Sequence, residues 1–445
     1  MTKCLVYNYT LMHITIFGIL FFVITLCSYR SYSLCAYVYV LSYLFQSSSI
    51  LDLGSISICP YIVSPMILWA RSLSLPSDRN EIAVRIKRIS TIFFIFVVFQ
   101  SVACTYLFPD LKVFHEGGME TNMATSGENL IFTMKNIYQW IYLGVNLIGI
   151  NTFTGHISQL NDNFSKNVII WSVFIVLFLG IWRYVTINFG GWFPEDIIFS
   201  NLNFEEVKGN IAQMVSGRFR FTSIMVEASV CGLFLAYSFW NVYYTSVSQK
   251  SWICILVVIC ILLTISSTGL SLMLIGILLH TVFVKHNFKA IIICLFFLFF
   301  LFIVVITNEA FVDVYNALFN KMDSTSADAR FSIMSYNWII FIDTYMLGCG
   351  LGSTIGSSFL LFLLSSVGLL GFILFCILLY NVCLFVKNRN GYIFVIPSLL
   401  LLIGMTYGGG TLSSPFLWMQ LAVFLSTTKD VVDFKYINQI GNNIY

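Results

Sequence analysis

Apolar runs follow one another along almost the whole chain, and many approach the roughly 20 residues that an α-helix needs to cross a hydrocarbon core. They fall at 11–27, 34–51, 55–70, 90–108, 131–152, 167–187, 222–245, 252–266, 269–284, 290–306, 357–386, 391–407 and 415–427. The alternation of outer-membrane β-barrel strands is absent. The pattern predicts an all-α, polytopic integral membrane protein with about 12–13 transmembrane helices. No repeat of fixed period and no low-complexity linker divides it, so 1–445 reads as a single transmembrane domain. The first run lacks a small-residue cleavage site and reads as a retained span.

Composition agrees. Of 445 residues, 58% are hydrophobic and 10% charged, with a mean hydropathy of +0.88, whereas soluble proteins carry roughly 25% charged residues. The net charge is +3, and no basic tract points to nucleic acid. The segment 71–88 concentrates Arg71, Arg79, Arg85, Lys87 and Arg88 in one connection, which the positive-inside rule assigns to the cytoplasm. Threading forward places Lys166, Lys250, Lys285, Lys387 and Arg389 on the same side. Glu116, Glu128, Glu195, Glu205, Asp313 and Asp328 then fall outside. Two outside connections, 188–221 and 307–356, are long enough to be functional. The twelve cysteines form no CxxC pair and mostly read as small buried hydrophobes.

Outside basic residues run against this bias, so each needs a reason. Arg218 and Arg220 stand in GRFRFTSIMVEAS, where the first long loop enters an apolar run. Their forked, permanently charged guanidinium groups match phosphate oxygens, and they also suit anchoring to lipid headgroups. Glu227 lies seven residues beyond Arg220, which in a continuous helix is two turns on and roughly the same face. Its alternatives are a structural ion pair and a catalytic or substrate-orienting carboxylate. In the second loop, Phe331, Met334, Trp338, Phe341 and Tyr345 recur at spacings of three and four, predicting an amphipathic surface helix led by Arg330. A helix start there would favour an anion. Gly348, Gly350 and Gly352 follow, permitting sharp turns or close approach to a ligand. Ser266-Ser267-Thr268-Gly269, between two runs, reads first as close helix packing. His115 is the one histidine in an outside loop. HExxH, DxD-like and P-loop motifs are absent, leaving a metal or ATP-driven mechanism unsupported.

These residues resemble the Wzy O-antigen polymerases, within the superfamily that includes the O-antigen ligases. The matching pattern is an arginine and a small-residue, Glu-containing stretch at a helix start (Arg220 to Ser229), a Ser-x-x-Gly helix start (Ser266 to Gly269), and an arginine-led external helix ending in Gly-x-Gly (Arg330 to Gly352). It covers roughly 215–375; elsewhere only hydropathy agrees. Ala228 replaces the proline that often follows the glutamate, and no histidine follows His286, which favours polymerase over ligase. The resemblance implies a GT-C-like membrane enzyme of the bacterial inner membrane, with its active site facing the periplasm in loops 188–221 and 307–356. Its substrates would be undecaprenyl-diphosphate-linked oligosaccharides as donor and acceptor, with no cofactor or metal and a chain-length regulator as partner. Arg218, Arg220 and Arg330 would bind diphosphate, and Glu227, Asp328 and His115 are the candidates for general base. The alternatives are a ligase-type glycosyltransferase and a lipid-linked oligosaccharide flippase or transporter.

Overall fold

The computed structural model describes residues 13–53, 56–78, 80–113, 127–201, 214–215, 218–245, 250–285, 325–387 and 394–427. The expected span at 290–306, His115 and 307–324 lie outside them. The described chain is mostly helical. Helices α1 (Ile16–Ser28), α2 (Tyr32–Ser42), α3 (Pro60–Ser72), α4 (Glu81–Leu107), α5 (Met134–Gly155), α6 (Phe164–Phe189) and the short α7 (Glu195–Ile198) precede α8 (Ala228–Tyr244), α9 (Lys250–Leu263) and α10 (Ser267–His280). After these come α11 (Thr325–Asp343), α12 (Phe359–Lys387), α13 (Val395–Gly408) and α14 (Pro415–Ser426).

Among the described residues, four helices are long and apolar enough to cross a membrane: Glu81–Leu107, Phe164–Phe189, Ser267–Val284 and Phe359–Val386. The apolar runs thus do not translate one for one into spanning helices among the described residues. The runs at 34–51 and 55–70 show why. Helix α2 stops at Ser42, and the chain continues through turns at Tyr43-Leu44 and Gln46-Ser47 and past Ser48-Ser49 into a small antiparallel sheet. Its strands are β1 (His13–Ile14), β2 (Leu51–Leu53) and β3 (Ile56–Ile58). Serine hydroxyls compete with the helix for backbone partners. Here Ser48 Oγ donates to the Ile198 carbonyl at 2.6 Å, and Ser49 exchanges bonds with Ser200.

Helices α8 and α14 form the centre. Every residue of α14 from Phe416 to Ser426 is buried, as are most of α8, the signature of a helix apolar all round. Packed aromatics, including Tyr39, Phe93, Phe153, Phe234 and Trp418, fill the core. Asn241 and Gln420 pair their side-chain amides across α8 and α14 at 2.8 Å, satisfying polar groups that the surroundings cannot hydrate. Gly232 of α8 and Gly269 of α10 bring the two backbones into contact.

The run at 357–386, expected to be one continuous span, is broken. At Gly368 the backbone turns to φ 68°, ψ −178°, and the loop after α11 fills the break. Cys349 N–H and Gly350 N–H donate to the Ser365 and Ser366 carbonyls at 2.7 and 2.9 Å, and Leu369 N–H donates to Met346 O at 2.9 Å. Gln100 of α4 adds its amide to the Leu347 and Ser366 carbonyls. A Cβ at Gly368 would lie 2.3 Å from Leu347 O. Gly368→Ala therefore combines a left-handed non-glycine residue with a backbone clash, and is expected to cost roughly 2–5 kcal/mol. Thermal unfolding of the detergent-solubilised protein checks this, and an unchanged melting temperature would show that the break tolerates a side chain.

Candidate functional site

Of the residues singled out in the sequence, Arg220, Glu227 and Arg330 lie at the end of the bundle formed by the N-termini of α8 and α10 and the C-terminus of α6. The chain leaves the short strand β5 (Arg218–Phe219), which pairs with β4 (Met214–Val215), and crosses this end as a non-helical strap that runs to Glu227. It is not the start of a helix: α8 begins only at Ala228, and Glu227 is its extended N-cap residue at φ −129°, ψ 150°. The helical reading of 222–245, which placed Glu227 two turns below Arg220 and deep in the membrane, is corrected accordingly. Tertiary partners have claimed the backbone groups that a helix would use. Phe221 N–H donates to Leu263 O at 3.0 Å, and Ser223, at φ 54°, donates its hydroxyl to Val176 O at 2.6 Å. Phe221, Ile224 and Met225 are buried, fastening the strap with apolar area.

Arg220 faces the α9–α10 turn. Its Nε donates to Thr264 O at 2.8 Å and its Nη2 to Ile265 O at 2.9 Å, leaving three of a guanidinium's five N–H donors. Burial lowers its pKa from the usual arginine value and the Glu227 charge opposes the shift; arginine stays charged regardless. Ile265, held at φ 46°, is a β-branched residue in a conformation that normally excludes it.

Glu227 and Arg330 meet across the strap. Glu227 Oε2 accepts from Ser229 Oγ at 2.8 Å and lies 4.0 Å from Arg330 Nη2, with the two side chains 49% and 42% exposed. The positive end of the α8 dipole favours the carboxylate. Arg330 is not at the start of its helix, as expected from the sequence, because α11 reaches back to Thr325; its own N–H lies beyond the first turn. The backbone of Asp328 is in that first turn, and the backbone of Arg218 is in β5. His115 falls outside the described residues. The predicted apolar face of α11 is also divided: Phe341 is buried, whereas Phe331, Trp338 and Tyr345 are exposed.

Gly348, Gly350 and Gly352 adopt φ of 81°, 96° and 92°. The close approach they permit is to protein backbone. A Cβ on each would lie 2.6 Å from Gly368 N, 2.9 Å from Ser101 Cα and 2.8 Å from Asn136 Cα respectively. They seat the loop against α12, α4 and α5.

The structure also brings in residues the sequence reading passed over. Ser357 Oγ donates to Arg330 O at 3.2 Å, Gly356 lies against Gly410 O and Thr411, and Gly408 lies against Thr268. The loops 264–268, 353–358 and 408–414 thus close a ring with Glu227 and Arg330. The signal was available in GGGTLSS at 408–414, three consecutive glycines and a Ser/Thr cluster between two apolar runs. Among the described residues, no three His, Cys, Asp or Glu side chains form a metal-binding group. An apolar crevice between α12, α13 and α14, lined by Leu379, Val382, Leu402, Leu417 and Leu421, contains none of the strap residues.

Half-exposed ion pairs contribute little to stability, so Glu227→Gln is expected to change it by no more than ~1 kcal/mol. Arg220→Lys cannot clasp two carbonyls in the same planar geometry and should cost about 1–3 kcal/mol. Paired thermal melts test both, and the reverse ranking would show that the Glu227 contact, not the Arg220 clasp, fastens this end. Compared with protein-family models, with curated proteins and with solved structures, the chain has no match.

Proposed function

We propose that this protein is a metal-independent polymerase of lipid-linked oligosaccharide. It would transfer a growing glycan from undecaprenyl diphosphate to a hydroxyl of the next lipid-linked unit at the periplasmic face of the bacterial inner membrane. The observation that carries this reading is the meeting of Arg330, Glu227 and the Arg220-bearing strap at one end of an apolar helical protein. A diphosphate leaving group asks for fixed cationic donors where its charge develops. Arg330, already beside a carboxylate, and the remaining N–H groups of Arg220 supply these, with Arg218 as the third candidate. An acceptor hydroxyl needs a base as its oxygen attacks. Glu227 takes that proton, while the anomeric C–O bond to diphosphate breaks and the new glycosidic C–O bond forms. Asp328 and His115 are the alternative bases.

The finer expectations belong to this proposal: a GT-C-like arrangement, about 12–13 spans, an active-site face built from 188–221 and 307–356, and a chain-length regulator as partner. Gly348, Gly350 and Gly352 contribute by seating the loop behind Arg330. One observation favours a second reading, a flippase for the same lipid-linked substrate. Helix α12 is discontinuous at Gly368, and broken helices mark many transporter sites.

The test is polymerisation in a chelator by purified wild-type, Arg220→Ala and Arg330→Ala proteins supplied with a lipid-linked repeat unit, with products resolved by length. A ladder from the wild type and at least a hundredfold loss from either folded variant is the expected result, consistent with removing one preorganised donor. Transbilayer movement of the substrate without a ladder would replace the polymerase with the flippase.

A further inference from the structure

Arg183 is a charged residue inside a candidate membrane-spanning helix, and only 4% of it is exposed. An arginine in such a place is expensive unless every donor is used. Its guanidinium is divided between two partners on opposite edges. Nε and Nη2 both lie 3.0 Å from Glu195 Oε1, which neutralises the charge. Nη1 does something else: it donates to Thr222 Oγ1 at 2.8 Å and to Ser223 O at 3.1 Å, both on the strap. The rings of Phe199 and Phe219 lie 4.3 and 5.3 Å from the guanidinium carbon, keeping water from these bonds and strengthening them.

The helix below is shaped for the same segment. At Gly180, one turn before Arg183, a Cβ would stand 2.3 Å from Phe221 Cζ. Ser223 then reaches the Val176 carbonyl another turn down. Neutralising Arg183 requires Glu195 alone, so the strap edge is an additional function of the same side chain. Thr222 and Ser223 lie between Arg220 and Glu227, and their placement sets where both side chains stand.

We propose that Arg183 is a positioning residue of the candidate site, a two-edged splint. Glu195 holds its charge on one edge, and the other edge holds the strap so that Arg220 reaches the α9–α10 turn and Glu227 reaches Arg330. The diphosphate chemistry rests on the function proposed above; the placement of the strap does not. Lysine at this position keeps the charge for Glu195 but has no second edge. Valine at 222 removes only the hydroxyl bond, and serine at 222 retains it.

The experiment uses the full chain in lipid nanodiscs as wild type, Thr222→Val, Thr222→Ser and Arg183→Lys. It measures trypsin cleavage after Arg220 relative to cleavage after the exposed Arg85, together with the affinity for undecaprenyl diphosphate and the melting temperature. Thr222→Val is expected to raise relative cleavage after Arg220 roughly tenfold and weaken diphosphate binding by a similar factor, the effect of losing one bond to a charged donor. Its melting temperature should stay close to wild type. Thr222→Ser should restore both readouts, and Arg183→Lys should follow Thr222→Val. If Arg183→Lys fails to fold, the Thr222 pair still decides. Wild-type cleavage and wild-type affinity in Thr222→Val would overturn the proposal, because the Arg183 bond to the Thr222 hydroxyl would then place nothing. Increased cleavage together with no diphosphate binding by the wild type would uphold the splint and dismiss the polymerase.

Discussion

A backbone N–H or C=O facing hydrocarbon without a partner costs several kcal/mol, and this constraint orders the rest of the structure. Regular helices meet it internally. At three places where this chain leaves the helix, it recruits partners from elsewhere. The irregular stretch after α2 donates from Ser48 to the Ile198 carbonyl and from Ser49 to the Ser200 carbonyl. The strap bonds to Leu263 and to side chains of α6. The broken α12 is completed by the loop 346–350 and by Gln100. Each of these three segments is therefore bound to a particular neighbour.

That binding explains how three arginines at one end of the bundle come to play different parts. Arg183 faces inward and is fully engaged by Glu195 and the strap. Arg220 gives two donors to carbonyls of the α9–α10 turn and keeps the others. Arg330 lies half exposed beside Glu227. A planar fork allows this division, because a guanidinium can bond on separate edges while its charge acts elsewhere. In Arg220 two donors hold the α9–α10 turn, and the diphosphate role proposed above would draw only on the remainder.

Glycine plays a parallel role. Gly232 and Gly269 allow α8 and α10 to touch, and Gly348, Gly350 and Gly352 let a loop lie directly on three helices. The left-handed φ at the latter three makes them difficult to replace even where space exists. Gly-x-Gly-x-Gly in the sequence carried that conformational information but not the identity of what came near, which proved to be backbone.

The hydropathy pattern by itself established a helical, membrane-compatible chain, because apolar length is a local property and each helix satisfies its own backbone. It also marked Arg220, Glu227 and Arg330 as residues out of keeping with their surroundings, and the structure brings Glu227 and Arg330 within 4.0 Å. It did not reveal that the run at 34–51 leaves the helix at Ser42, that α12 is interrupted, that Glu227 caps α8 from outside, or that 408–414 closes the ring. The interruptions depend on hydrogen bonds between distant residues, such as Ser48 with Ile198 or Gln100 with Ser366, and the strap on bonds such as Arg220 with Thr264, 44 positions apart. Periodicity reads only neighbours along the chain. Whether an apolar stretch becomes a helix or a strap was decided by which distant groups were in place to bond its backbone.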